Sequence, residues 1–473
     1  MNRKWLAICM TGSLLTGSGI TYLGMNFLDK KEESNSIELD TATGSLYKLN
    51  KAYQLILNNY VEKVDQQQLE DGAIKGMLAT LEDPYSVYMD QDAAKQFEQA
   101  LDSSFEGIGA EISIDQEKII IVSPIKGSPA EKAGIKPLDE IISVNGESVS
   151  GKDLNDVINE IRGEKGTKVE LEIIRSTVNK PIEVSLVRDE VPQITVYSDM
   201  KKEGGENIGY IQITSFSQDT ANEFDKALSE LEDKNISGLI LDVRGNPGGF
   251  LTSVNAILEN FVTKGKPYVQ VENRNGDTQQ FYSDLKEKKD YPVAVLIDSG
   301  SASASEIMAG ALKEAADYTL IGEKTFGKGT VQQPISMDDG SEIKLTISKW
   351  LTPEGNWIHK TGIEPNLEVK QSDLYHNHPL QIKETLKLEE NNEQIQYAQE
   401  ILTSLGFTTD RKDGYFSSQT EVAVKAFQTQ NSLEATGTID QKTAAKMQEV
   451  VREEMKKEEN DLQLQTALRY LVN

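Results

Sequence analysis

The chain has 473 residues, of which 49 are basic and 76 acidic, for a formal net charge of −27, and 38% are apolar against 26% charged. That is too much chain for one ordinary core and points to about three domains. The acidic balance excludes a nucleic-acid partner, because phosphate binding needs a basic face, and the single cysteine, Cys9, excludes both a disulfide scaffold and a thiol nucleophile.

Arg3 and Lys4 precede an uncharged stretch of 24 residues, Trp5 to Leu28. About 20 apolar residues cross a bilayer as a helix, and the flanking positive charge keeps the N-terminus inside. A secretory signal has the same grammar, but no A-x-A-like cleavage site stands out. Residues 1–28 therefore read as a membrane anchor rather than a cleaved signal peptide, with Cys9 as membrane filling. Either way the rest of the chain is expected outside the cytoplasm, on the cell-wall side of the membrane or secreted. Residues 29–101 continue as a polar linker and a helical arm. In the arm Leu49, Tyr53, Ile56, Leu57 and Tyr60 recur at helical spacing, a turn falls at Asp83-Pro84, and a further helix is expected over Asp92–Leu101. So thin an arm needs a partner surface, either the core of the same chain or a second copy in a homodimer.

Residues 102–190 change to short strands with one or two helices. Ile119–Val122, Asp139–Val144, Val169–Ile174 and Ile182–Leu186 read as strands, Asn145-Gly146 as a turn and Lys152–Arg162 as an amphipathic helix stopped by Gly163. Over residues 191–370 strands and helices alternate. The runs Ile208–Ile213, Gly238–Val243 and Val293–Ile297 flank or precede helices at Asp219–Leu231, Phe250–Val262 and Ser303–Ala316, the pattern of an α/β core on a buried sheet. A polar linker is expected over 371–391, a helical module over 392–451 and a charged tail over 452–473. The fold class is thus multidomain, α/β and α+β.

Three segments resemble known families. Gly127-Ser-Pro-Ala-Glu-Lys-Ala-Gly-Ile135 followed by Asp139-Glu-Ile-Ile-Ser-Val-Asn-Gly146, with Gly107-Ile-Gly-Ala-Glu-Ile112 upstream, resembles the circularly arranged PDZ domain of exported proteases. The resemblance implies that Gly107, Ile108, Gly109 and Ala110 form a nest of N–H groups for a peptide's terminal carboxylate, the peptide adding as a strand. Leu138 stands where that pattern has glycine, so it must avoid positive φ or accept strain. Leu241-Asp-Val-Arg-Gly-Asn-Pro-Gly-Gly249, Ser301-Ala-Ser-Ala-Ser-Glu-Ile307 and Gly322-Glu-Lys-Thr-Phe-Gly-Lys-Gly-Thr-Val-Gln332 resemble the C-terminal processing peptidases, the tail-specific proteases of serine peptidase family S41. Asn366 departs from the aspartate usual there. Leu405-Gly-Phe407, Gly414-Tyr-Phe416, Ala423-Val-Lys-Ala-Phe-Gln428 and Gly437-Thr-Ile-Asp440 resemble a peptidoglycan-binding module, against which stands a plain helical dimerisation appendage.

A serine hydroxyl needs a base to act as a nucleophile. The histidines are three, His359, His376 and His378, and none lies in a motif like that around Ser303, so lysine becomes the candidate base. Lys328 would have to be held well below its ordinary pKa of about 10.4, which burial among Phe326, Gly327, Gly329 and Val331 would do. In an extended chain Lys328, Thr330 and Gln332 share a face, and Gln332 could hold the amine through its amide oxygen. Ser301, Ser303 and Ser305 compete as nucleophile. Ser303-x-x-Glu306 is also a capping box, but the family resemblance places the nucleophile at Ser303, with Ala304 N–H as one oxyanion donor and Gly249, or Gly248, as the second. Gly322-x-x-x-x-Gly327-Lys328 approaches a phosphate loop, but Gly329 stands where serine or threonine is required.

The reading is therefore an exported serine endopeptidase that takes unfolded or exported proteins by their C-termini, binds cell-wall peptidoglycan and needs no cofactor or metal. A non-catalytic, anchored PDZ and wall-binding scaffold is the alternative, and it leaves the joint presence of Ser303, Lys328 and Gln332 without a reason. Arg162, at the end of the helix bordering the peptide groove, either caps that helix's last carbonyls or senses the peptide and gates the active site.

Overall fold

The computed structural model describes residues 46–101, 104–115, 118–175, 178, 180–376 and 378–472. The anchor or signal reading of residues 1–28, Cys9 and the start of the linker lie outside the described residues. No helix among those described is long and apolar enough to cross a membrane. The chain divides into two units, Met1–Leu81 and Glu82–Asn473. In the first, α1 (Tyr47–Asn59) and α2 (Gln66–Ala79) bury no residue of their own. Asp65 caps α2 by accepting the Gln68 N–H at 3.0 Å, and the Tyr53 hydroxyl donates to Glu70 at 2.7 Å.

The second unit opens with β1 (Val87–Met89) and α3 (Gln91–Leu101). A ribbon of β2 (Ser104–Gly107) on β9 (Asp189–Pro192) frames the next domain. Its sheet runs in the order β3 (Ala110–Asp115), β4 (Lys118–Pro124), β5 (Glu140–Val144), β7 (Lys168–Ile174), β8 (Ile182–Val187), with β6 (Glu147–Ser148) on β5. Two helices, α4 (Pro129–Lys132) and α5 (Leu154–Ile161), pack on it, and Val157 and Ile161 are buried against Ile108, Ile121, Ile141 and Leu171. Ser128 caps α4, with proline at the first turn. Leu138 does take the strained course, at φ 66°, with 71% of its surface exposed.

The core follows with β10 (Val196–Glu203), β11 (Glu206–Ile213), α6 (Thr220–Glu232), β12 (Gly238–Asp242), α7 (Leu251–Leu258), β13 (Pro267–Asn273), β14 (Thr278–Tyr282), β15 (Val293–Ile297), α8 (Ala304–Gly310, continuing through a π turn at Ala311–Ala315), β16 (Thr319–Gly322), β17 (Thr330–Ser336), β18 (Glu342–Leu351) and β19 (Leu367–Glu368). One sheet has the order β10-β11-β12-β15-β16-β19, parallel from β11 onward. A second, antiparallel sheet has the order β1-β18-β13-β14 with β17 on β18.

The parallel strands succeed one another in a single direction. Right-handed crossovers then place every connecting helix on the same face, where α6, α7 and α8 bury Ile211, Leu239, Leu241, Val293, Val295 and Ile297. The opposite face, carrying Ile208, Ile240, Ala294, Leu296 and Ile321, needs another cover. It is supplied by the last segment of the chain. Residues 462–472, expected to be part of a charged tail, form a helix whose Leu464, Ala467, Leu468 and Leu471 are buried on that face.

Between core and tail lies the helical module of α9 (Glu393–Ser404), α10 (Ser418–Gln430) and α11 (Gln441–Met455), followed by α12 (Leu462–Val472). The 371–391 segment is more than a spacer. Leu374, Leu380 and Leu386 are buried in the module's core, and Leu386 bridges Ile439.

Candidate active site

The nucleophile region begins with three serines on one tight turn, and their surroundings distinguish them. Ser301 is fully buried and donates its hydroxyl to the Val243 carbonyl at 2.8 Å. Ser305 is equally buried and donates to the Asn246 carbonyl at 2.9 Å. Ser303 is half-buried and sits at φ 55°, ψ −113°, a region that a non-glycine residue enters only when its surroundings force it. Two of the hydroxyls are thus committed to holding the turn, and the third stands on strained backbone at the N-terminus of α8.

Against this turn lies Asn246-Pro-Gly-Gly249. The buried Asn246 amide donates to the Ile213 carbonyl at 2.8 Å, and its oxygen accepts the Gly248 N–H at 2.8 Å. Its main-chain oxygen accepts the Ala302 N–H at 3.0 Å. A Cβ on Gly248 would lie 2.9 Å from Ser303 Cβ and 3.0 Å from Ala304 N, and one on Gly249 would lie 2.1 Å from the Phe216 oxygen. Only bare backbone can pass here. With the Gly248 N–H taken by Asn246, Gly249 is the better placed of the two as a second oxyanion donor. Among the described residues neither the Gly249 nor the Ala304 N–H has an acceptor.

Lys328 arrives from the loop between β16 and β17. Its Nζ lies 4.9 Å from the Tyr85 ring centroid, and no carboxylate among the described residues pairs with it. Burial lowers its pKa, and the Lys344 ammonium lowers it further, while Asp83 and Glu306 pull the other way. The loop is clamped through its main chain: Trp350 Nε1 donates to the Lys328 oxygen at 2.9 Å and Trp357 Nε1 to the Gly329 oxygen at 2.8 Å.

One side chain joins the two segments. Glu306, wholly buried, accepts the Thr325 hydroxyl at 2.6 Å and the Gly327 N–H at 2.7 Å on Oε1. On Oε2 it accepts the Ser303 N–H at 2.9 Å and the Lys328 N–H at 2.8 Å. The main-chain nitrogens of the candidate nucleophile and base therefore rest on the same oxygen atom. From the sequence Glu306 was legible only as a helix cap. Its second task needs the lysine loop, and a carboxylate directly before an apolar run, Glu306-Ile307-Met308-Ala309, was the available hint. Asp83 was legible only as the start of a turn and Tyr85 not at all, both standing some 220 residues before Ser303 in the chain.

Gln332 is placed differently from expectation. Its amide nitrogen donates to Thr330 at 2.9 Å and Thr346 at 3.0 Å, and no hydrogen bond joins it to Lys328 among the described residues. Lys328 precedes β17 instead of continuing it, so strand alternation does not extend to the amine. Thr346 also donates to Asp83 at 2.6 Å, which sets Gln332 in a polar chain along this border of the site. His359 stacks on Trp357 at 5.3 Å and meets Tyr85 edge-on at 6.3 Å. Burial, then Lys360, lowers its pKa.

In the β-rich domain the carbonyls of Ile108 and Gly109 are taken by Ala130 N–H and Ile125 N–H, each at 2.8 Å, while the N–H groups of both residues have no acceptor among the described residues. A Cβ on Gly109, at φ 70°, would strike Ser128 Cβ at 2.3 Å. Ala110 begins β3, the edge strand, beside α5. Gly107 has the stem of Arg162 3.8 Å from where its Cβ would be. The exposed Arg162 guanidinium lies 5.1 Å from the Phe105 ring centroid. It does not cap α5. The buried Arg188 does that, donating to the Ile161 oxygen at 2.8 Å and the Glu160 oxygen at 3.0 Å.

Comparison with known proteins identifies the domains. Residues 207–369 match peptidase family S41, 120–175 a PDZ domain, 391–447 a peptidoglycan binding domain and 14–93 the N-terminal domain of the activating protease CtpB. The chain is 54% identical over 477 aligned residues to carboxy-terminal processing protease CtpB of Bacillus subtilis, covering 100% of this chain and 99% of the relative. It is 46% identical to carboxy-terminal processing protease CtpA of the same organism, covering 91% of each. Among solved structures it is similar to the photosystem II D1 C-terminal processing protease, at 28% identity and a TM-score of 0.43, covering 70% of this chain and 88% of that one.

Proposed function

The chain belongs to the carboxyl-terminal processing peptidases of family S41, serine-type enzymes, and on that premise we propose that it cleaves with a Ser303–Lys328 dyad. The observation that carries the proposal is the single Glu306 oxygen accepting both the Ser303 and the Lys328 N–H. The neutral Lys328 amine takes the Ser303 proton as the hydroxyl oxygen attacks the scissile carbonyl. The N–H groups of Ala304 and Gly249 receive the oxyanion. The ammonium so formed protonates the leaving amine, and water then hydrolyses the acyl-enzyme with Lys328 again as base. Gln332 shapes the border of the site through Thr330 and Thr346.

The PDZ domain captures the substrate's terminal carboxylate at the free N–H groups of Ile108 and Gly109, between Gly107 and Ala110, with the peptide lengthening the sheet at β3. Arg162, relieved of capping by Arg188, is free to act as the sensor through which a bound tail gates cleavage. The catalytic unit works outside the cytoplasm on unfolded or exported proteins. The peptidoglycan-binding domain holds it to the wall, and the exposed Leu49 and Ile56 of α1 serve a homodimer.

The decisive test uses the purified protein and an unfolded polypeptide with a free C-terminus, with fragments identified by mass. Ser303→Ala and Lys328→Ala should each abolish cleavage with circular dichroism unchanged. Lys328→Arg should be equally inactive, since a guanidinium stays protonated. Substantial cleavage by Lys328→Arg refutes the lysine-base mechanism.

A further inference from the structure

Lys344 lies on β18 opposite Val87 of β1 and Pro334 of β17. Two residues along the same strand is Thr346, bonded to Gln332 and Asp83. Two residues before Val87 is Tyr85, whose ring carries the Lys328 amine. Lys344 thus stands at the border of the site, on the strand that carries Thr346 and Trp350, with no task of its own in the proposed mechanism.

Its ammonium has no carboxylate partner among the described residues, and the reason is visible at each candidate. Asp83 Oδ2 accepts Ser86 and Thr346, each at 2.6 Å, and its Oδ1 accepts the Tyr85 N–H at 3.1 Å. Glu342, on the same strand, accepts Ser336 at 3.0 Å, and Lys349 is paired with Glu272. Strand β17 carries no charged residue, β1 carries only the buried Tyr88 as a titratable group, and Asp92, Lys95 and Glu98 of α3 are exposed at the surface. Lys344 Nζ instead lies 4.6 Å from the Phe97 ring centroid, a setting that favours the charged form without neutralising it.

We propose that Lys344 is a positioning residue for proteolysis: its unpaired ammonium opposes charge on the Lys328 amine and so keeps that amine available as the base. This rests on the dyad reading. The two lysines differ in a way that suits the roles. Each amine lies on an aromatic face, Tyr85 for Lys328 and Phe97 for Lys344, and burial lowers the pKa of both, but Lys344 holds the shallower position. In a repelling pair the deeper group gives up its proton first. The other charges near Lys328, Asp83 and Glu306, act in the opposite sense, so Lys344 is what offsets them. Paired lysines in which one cation activates the other are an established way to make an amine basic enough and neutral enough at once.

The experiment is the pH dependence of kcat/KM for the full-length protein on an internally quenched, unstructured peptide with a free C-terminal carboxylate. Lys344→Met keeps the stem and removes the charge, and Lys344→Arg keeps the charge. Lys344→Met should lose about three- to tenfold on the acid limb and recover as pH rises, while Lys344→Arg should follow the wild-type limb. Lys344→Gln is run beside Lys344→Met, with melting curves for each, so that a misfolded variant is recognised and replaced. The inference is overturned by an acid limb in Lys344→Met that coincides with wild type, by a uniform loss at all pH, or by a Lys344→Arg limb displaced as far as that of Lys344→Met. Lys328→Ala in the same series separates the two readings. If it is inactive and the Lys344 limbs coincide, only this inference fails; if it is active, the dyad fails with it.

Discussion

Replacing Glu306 with glutamine tests the geometry that joins the two halves of the site. The side chain keeps its shape, but one carboxylate oxygen becomes an N–H2 group. Glutamine does least harm with its oxygen at the Oε2 position, where it still accepts the Ser303 and Lys328 N–H groups now bonded at 2.9 and 2.8 Å. The amide nitrogen then faces Thr325 and Gly327. The Thr325 hydroxyl can turn to accept, as it already does from the Ile363 N–H at 2.7 Å, but the Gly327 N–H is left without a partner. An unsatisfied buried donor costs about 1–3 kcal/mol, and turning two charge-assisted bonds into neutral ones costs about 1 kcal/mol each. The lysine loop should therefore be destabilised by roughly 3–5 kcal/mol, shown as faster amide exchange at residues 325–328. A displaced amine should lower kcat/KM by about a hundredfold, measured on a quenched peptide under the wild-type conditions. Wild-type exchange and wild-type kcat/KM in Glu306→Gln would refute the argument that this carboxylate holds the Ser303 turn and the Lys328 loop together.

Arg188→Ala should destabilise the PDZ domain by about 2–4 kcal/mol, since carbonyls at Ile161, Glu160 and Lys168 lose their donor. Arg162→Ala should leave melting nearly unchanged but collapse the activity ratio between free-tailed and tail-blocked substrates; an unchanged ratio removes Arg162 from the switch. Leu138→Gly should stabilise the protein by about 0.5–1 kcal/mol in denaturant titration, because relief of the left-handed strain exceeds the entropy that glycine loses. Burial alone would raise the Asp461 pKa, but hydrogen bonding to Arg244 holds it below the usual aspartate range. The stability this contributes is complete above about pH 3.9 and lost as pH falls through the lower folded value. Exchange at residues 462–472 should then rise in acid before the core sheet opens, and protection unchanged at pH 3 would count against it.

Much of the architecture is local in origin and so was open to reading along the chain. The five apolar residues Val293–Ile297 form the buried strand they suggest, Asn145-Gly146 turns with both residues at positive φ, and Ser128-Pro129 opens a short helix. The serine turn, the paired glycines and the lysine loop were recognisable because each needs particular residue types within a few positions of one another. Which of three serines is left only half-buried was not local, since it depends on carbonyls at Val243 and Asn246 delivered by the turn that follows β12. That Arg188 rather than Arg162 closes α5 is equally a matter of which chain passes the helix end.

The last segment makes the same point at the scale of the fold. Leu464, Ala467, Leu468 and Leu471 show helical spacing, but nothing near them says what they cover. The strand order does. Crossovers of one hand and one direction put every connecting helix on a single face of the sheet, and the bare face can be covered only by chain arriving from elsewhere. Sequence determines periodicity, turns and the chemistry each motif can perform, because these are set by neighbours along the chain. Tertiary structure alone decides which buried oxygen serves two segments, which cation goes unpaired and which face is left to cover, because those depend on groups meeting that the chain keeps far apart.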